Sequence, residues 1–340
     1  MSLEDIFLKV RRVFLITLIF AFILGFFETL YTVFGIGKAK SIIELLNYFP
    51  FVEKDIFLDR ISSIGNEPPD LALFLISTCS WMLSYIYTEK SIGKYLPTIM
   101  ILFLTYYSGS RTALIVIFIQ LSIFLYIITP KQQFFLIVQK GVLIIFSLSL
   151  ILVIFESDKV LKSVENKIES LNFKKNLTKN ISNQSRFGIQ YASLQVFKDN
   201  PIIGVGYGQQ SFYSRNYYPG WAKKRNYEFK ELYENSAVKS FPPAYNIYTR
   251  VLAETGIVGF CILLYFIIYV LYSLNKHLRI HNKDNFVLIL ILYTTLFGLF
   301  LYWLQNDTFK IYVLWLSIAI FIKIKQEKII KNHDTEKNSK

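Results

Sequence analysis

Long apolar runs alternate with short polar joints along the chain, and that rhythm is broken once. Runs of about 20 residues, enough to cross roughly 30 Å of hydrocarbon, occupy 13–35, 71–88, 92–108, 111–129, 134–155, 250–274, 285–304 and 309–325. They predict an all-α polytopic membrane protein of about eight transmembrane helices, a single integral membrane domain over residues 1–340. The break is 156–249, a basic, tyrosine-rich insert between the fifth and sixth runs. Within it Val160, Leu161, Val164, Ile168 and Leu171 recur at helical spacing with Lys and Glu between them. That pattern predicts an amphipathic helix of about four turns, at the membrane surface or against the bundle. The Asn- and Lys-rich stretch 173–185 reads as a mobile loop. No internal repeat is evident.

Composition agrees with this reading. The chain is 53% hydrophobic, 17% aromatic and 18% charged, whereas about a quarter of a soluble domain is charged. The net charge is +13, but the cations lie mostly in short joints, where they orient helices. Nothing resembles a nucleic-acid-binding module. With the N-terminus inside, Lys9, Arg11, Arg12, Lys90, Lys94, Lys131, Lys140, Lys276, Arg279, Lys283 and the tail from Lys323 all face the cytoplasm. The outer face then receives 36–70, the turn 108–111, the insert and the turn 305–310, since long loops cross regardless of charge. The first run is too long for a signal peptide and no small-residue cleavage site follows, so it reads as an uncleaved helix. Cys79 and Cys261 fall in apolar runs and are expected to be small buried hydrophobes.

Four polar clusters can carry chemistry. In Arg60-Ile61-Ser62-Ser63-Ile64-Gly65-Asn66-Glu67-Pro68-Pro69, an Arg and a Glu at a helix mouth can grip an anion and accept a proton. The same residues also suit a salt-bridged membrane-edge loop before a Pro-initiated helix. In Ser108-Gly109-Ser110-Arg111, a charge in the bilayer costs about 2.5–3.5 kcal/mol unless it faces protein or water. Arg111 therefore either snorkels or binds a phosphate bidentately. The third cluster runs from Arg186 to Asn200-Pro201-Ile202-Ile203-Gly204-Val205-Gly206-Tyr207-Gly208. A dinucleotide fingerprint needs a strand before it and a helix after it, and Pro201 with polar residues precedes this one. The run predicts a tight turn with close backbone approach instead. The fourth is Tyr245-Asn246-Ile247-Tyr248-Thr249-Arg250-Val251-Leu252-Ala253-Glu254-Thr255-Gly256. Arg250 and Glu254 share a helical face and suit an ion pair, and Asn246 can cap the helix. Twelve aromatic residues run from Tyr207 to Tyr248, suited to an interfacial belt or to the apolar faces of sugars. No His/Asp/Glu cluster with ligand spacing lies on the outer side, so neither a metal nor a cofactor is expected.

Together the clusters resemble the O-antigen ligase and polymerase superfamily, membrane glycosyltransferases of bacterial surface polysaccharides. The matching residues in order are Arg60, Gly65, Glu67 and Pro68; Ser110 and Arg111; Arg186; Asn200 to Gly208; and Asn246 to Gly259. There are two departures. The family usually carries more spans before the first motif, and ligases of this kind use the His of a His-Asn pair where Tyr245 stands here. His277, His281 and His333 all fall on the expected inner side. The resemblance therefore implies a polymerase with a GT-C-like helical fold in the bacterial inner membrane, termini cytoplasmic and the insert periplasmic. Undecaprenyl-pyrophosphate-linked oligosaccharides would be both donor and acceptor, joined into O-antigen or a related polysaccharide without nucleotide.

Such a reaction needs an anion clamp for the departing pyrophosphate and a group to take the acceptor's proton. The resemblance assigns the clamp to Arg111 and Arg186, with Arg60, Arg250, Asn246 and Tyr248 as further binding residues. Glu254 and Glu67 are the candidate bases, with Tyr245 as a hydrogen-bonding partner. Membrane lipid is an implied partner, and a chain-length regulator is a candidate protein partner. The rivals are a ligase that transfers finished polymer and a polysaccharide flippase. The flippase reading is disfavoured because no halves repeat and charges sit at span ends, Glu28 excepted.

Overall fold

Among the described residues every regular element is a helix, as apolar runs in lipid require when no water can satisfy the backbone. The computed structural model describes residues 2–44, 56–57, 60–129, 181–235, 241–279 and 285–338. The helices of the first stretch are α1 (Leu3–Thr32), the short α2 (Lys40–Glu44), α3 (Pro68–Thr88), α4 (Leu96–Tyr107) and α5 (Arg111–Ile128). After these come α6 (Ile181–Asp199), α7 (Ile247–Arg279), α8 (Phe286–Tyr302) and α9 (Tyr312–Asn338). Among the described residues α1, α3, α5 and α7 are long and apolar enough to cross a membrane, and α8 is a shorter apolar helix. The chain is a membrane protein. The expected run 134–155, the amphipathic helix over 160–171 and the loop residues 173–180 lie outside the described residues.

The chain forms two units: Met1–Ile128, Ile267–Tyr302 and Lys310–Lys340 in the first, Thr129–Phe266 and Trp303–Phe309 in the second. In the first, α1 starts with a capping box, Ser2 Oγ accepting from Asp5 N at 3.1 Å and Asp5 Oδ2 accepting from Ser2 N at 3.1 Å. Helices α3, α5 and α8 pack on one another around Gln120, which is fully buried. Its Nε2 donates to Ile76 O at 3.1 Å and to Thr294 O at 3.2 Å, tying three helices together. The side chain lies so near α8 that a Cβ on Gly298 would be 2.3 Å from Nε2. Small residues at such contacts let membrane helices approach closely.

Glu28 is also fully buried in this unit. Its carboxyl oxygens accept from Ser62 N at 3.2 Å and Ser63 N at 2.7 Å, while Ser63 Oγ donates to Ala21 O at 2.6 Å. The carboxyl group thus holds the chain ahead of α3 against α1, including Ser63 at φ 49°. Two expectations are corrected. Cys79 is buried as predicted, but Cys261 is exposed, because it lies on the outward face of α7. Residues 181–185 are helix and not loop, since Gln184 and Ser185 belong to the buried face of α6 together with Gly188, Ile189 and Ala192. Burial there overrides a polar composition.

Candidate functional site

In the second unit α7 is broken at Gly256, whose φ of 62° and ψ of −163° suit glycine alone. A break strips the flanking turns of helical hydrogen-bond partners, and the glycine-rich run supplies replacements. Val205 N donates to Ala253 O at 3.0 Å and Gly206 N to Glu254 O at 2.9 Å. In return Ile257 N donates to Pro201 O at 2.8 Å and Val258 N to Ile202 O at 3.4 Å. Glycines on both sides permit the approach: a Cβ on Gly256 would fall 2.2 Å from Ile202 O, and one on Gly204 would fall 2.4 Å from Glu254 C. The close approach expected of this run is present, and a segment of α7 is what it approaches.

The turn before this kink holds a charged cluster. Asn246 caps α7, its Oδ1 accepting from Tyr248 N at 2.9 Å and Thr249 N at 3.2 Å. Ile247 N donates to both Trp303 O and Asn306 O at 3.0 Å, which seats the helix start on the segment Trp303–Phe309. Arg250 Nε donates to Glu254 Oε1 at 3.0 Å. Its Nη1 donates to Asp307 O at 2.9 Å and lies 3.7 Å from Asp307 Oδ2. Asp307 Oδ2 also accepts from Ala244 N at 2.7 Å. The Glu254 side chain is 3% exposed, Asp307 17% and Arg250 23%, so two shielded carboxylates converge on one guanidinium. The expected Arg250–Glu254 pair is there. Asp307 was not singled out from the sequence, and its only signal is to be the one carboxylate in the turn 305–310.

Arg186 has a different setting. It projects from α6 with its guanidinium carbon 5.4 Å from the Tyr245 ring centroid, and among the described residues no carboxylate pairs with it. Tyr245 itself is held at φ 56°. Gln190 Nε2 donates to its carbonyl at 3.3 Å, and its phenol shares a hydrogen bond with Tyr233. Burial pushes the Tyr245 phenol above its ordinary range, opposed by the Tyr233 hydrogen bond and the Arg186 charge. Tyr233 closes a π-helical turn, Glu228–Tyr233, and packs with Ile189, Ala192, Tyr218, Ala222 and Phe229. The aromatic stretch therefore divides. Tyr218, Phe229 and Tyr233 are core residues, whereas Tyr207, Phe212, Tyr213, Tyr227 and Phe241 are exposed. Tyr207 lies beside Arg250, 5.6 Å from guanidinium carbon to ring centroid. Tyr248 is half-buried in the first turn of α7.

The other predicted residues belong to the first unit. Glu67 is the N-cap of α3, its backbone N donating to Asp70 Oδ2 at 3.3 Å, with Pro68 and Pro69 opening the helix. Arg60 lies 5.0 Å from the Phe57 ring centroid, and no ion pair joins it to Glu67. Ile61 N donates to Tyr107 O at 3.1 Å, and Gly109 faces Arg60, a Cβ there falling 3.3 Å from Arg60 Cβ. The first two sequence clusters are thus neighbours, with Arg111 opening α5 just beyond. Among the described residues no group of three His, Cys, Asp or Glu side chains is placed to hold a metal ion.

No curated protein matches the chain. Residues 96–264 match the family model described as O-Antigen ligase, a stretch that takes in Arg111, Arg186, the glycine-rich run, Tyr245 and the Arg250–Glu254 turn. Arg60, Glu67 and Asp307 lie outside the matched stretch. On this match, and on the motifs it spans, the chain belongs to the O-antigen ligase and polymerase superfamily.

Proposed function

We propose that the protein is an inner-membrane glycosyltransferase that joins undecaprenyl-pyrophosphate-linked repeat units into a surface polysaccharide, with the insert periplasmic and both termini cytoplasmic. One observation carries the polymerase reading. Tyr245, at the position where ligases of this kind use a His, is a partly buried phenol raised above its ordinary range by that burial. At neutral pH it stays protonated, so it serves as a hydrogen-bonding group and does not act as a base. The proton of the acceptor hydroxyl then passes to a carboxylate, Glu254 or Glu67. The hydroxyl oxygen attacks the donor's anomeric carbon, and the bond from that carbon to the pyrophosphate oxygen breaks. The electron pair leaves with undecaprenyl pyrophosphate. Arg186 is the better-placed counter-charge in its unit because Arg250 is already held by Glu254 and Asp307. Arg111 and Arg60 are further clamp residues, and Asn246 and Tyr248 further substrate contacts.

A second reading is supported by the description of the matched family, O-Antigen ligase. A ligase performs the same displacement and differs in its acceptor. The surface polysaccharide of cells lacking the gene, run on a gel, separates the two. Loss of the ladder with a single repeat still on its lipid anchor supports the polymerase. Polymer retained on its polyprenyl carrier supports the ligase. An unchanged ladder overturns both.

A further inference from the structure

The tip of the glycine-rich run is apolar and uncovered: Ile202 is 65% exposed and Ile203 76%. Its position is tied to α7 by the bonds from Ile257 N to Pro201 O and from Val258 N to Ile202 O. Ile257 and Val258 open the apolar part of α7 beyond the kink and are themselves exposed. The outward face continues through Cys261, Ile262 and Tyr265, on a helix long and apolar enough to cross a membrane. Acyl chains cover such a face. The two isoleucines sit level with its first residues and widen it sideways, while Lys198, Asp199 and Asn200, just before the tip, are exposed and polar. A polar stem followed by an apolar tip at the end of a lipid-facing stripe is the pattern of an interfacial anchor.

We propose that the Pro201-Ile202-Ile203 tip inserts into the leaflet at which α7 begins. The inference needs only the membrane span and is independent of the acceptor. It has a consequence for the site, because the residues just after the tip, Val205 and Gly206, hold the carbonyls of Ala253 and Glu254. The depth of the tip in the lipid therefore sets the height of Glu254.

The test uses the full chain with Cys79→Ala and Cys261→Ala, carrying Ile203→Cys labelled with an environment-sensitive fluorophore. The protein is reconstituted in nanodiscs of phosphatidylethanolamine and phosphatidylglycerol containing nitroxide-labelled lipid. Lys198→Cys is the aqueous reference and Tyr265→Cys the lipid reference. The expected result is quenching by nitroxide lipid to the extent seen at Tyr265, with blue-shifted emission and protection from iodide. Iodide quenching equal to that at Lys198 overturns the proposal. So does lipid quenching that is lost on adding polyprenyl pyrophosphate, which would assign the tip to a substrate tail. Should the label prevent folding, modification of the unlabelled cysteine by a membrane-impermeant maleimide gives a second readout. There, a rate well below that of Lys198→Cys supports insertion, and an equal rate overturns it.

Discussion

Arg250 and Arg186 carry the same charge in opposite circumstances. Arg250 bridges Glu254 and Asp307 and stabilises both. Removing it leaves two shielded carboxylates facing each other, and breaking such a pair costs about 3 kcal/mol. Arg186 lies over the Tyr245 ring, a contact worth about 1 kcal/mol or less where water still reaches it. Arg250→Ala is therefore expected to lower thermal stability in detergent strongly. Arg186→Ala should leave stability near wild type and abolish the polysaccharide ladder. If the two variants unfold alike, both arginines are structural and the division of labour is wrong. The Arg250–Glu254 pair was legible in the sequence because helical spacing of four places both on one face. Asp307 was not, since it approaches Arg250 across 57 residues of chain and no local periodicity records such a contact.

At the level of elements, the kink in α7 and the glycine-rich run are two halves of one construction. Gly208 supplies a control within the same run: its φ is 78°, yet a Cβ there would meet nothing within 4 Å. Gly208→Ala bears only the cost of left-handed backbone, about 1–2 kcal/mol. Gly256→Ala adds a collision with the backbone of Ile202 and is expected to cost about 4 kcal/mol or more. Thermal unfolding of the two variants measures the difference. A common loss would mean that backbone conformation alone, and not the approach of the two segments, holds the kink. The apolar runs were readable at this scale because length and hydropathy nearly suffice for a membrane helix. The kink was not, because a glycine between Thr255 and Ile257 looks the same in a straight helix as in a broken one. The helix over 181–185 was missed for a related reason, polar residues being counted as loop before their burial was known.

On the scale of the molecule, the motif order announced the superfamily, and the charge bias along the joints supports the orientation proposed above. Neither could reveal what binds the helices laterally, which here includes the Gln120 bridge. Gly298→Ala pushes a methyl into the Gln120 amide and is expected to cost about 2 kcal/mol. Adding Gln120→Ala makes room for that methyl, so the double variant should be more stable than the sum of the single losses by about 1 kcal/mol. Strictly additive losses in thermal unfolding would refute the contact. The buried Glu28 has a consequence in time rather than in space. Its hydrogen-bond donors, Ser62 N and Ser63 N, lie 34 and 35 residues further along, so the ribosome makes α1 well before the groups that satisfy its carboxyl. An acidic side chain in an inserting helix costs about 2.5–3.5 kcal/mol. The first helix is thus at its least settled in the membrane when it is newly made, and chain that emerges later completes its insertion.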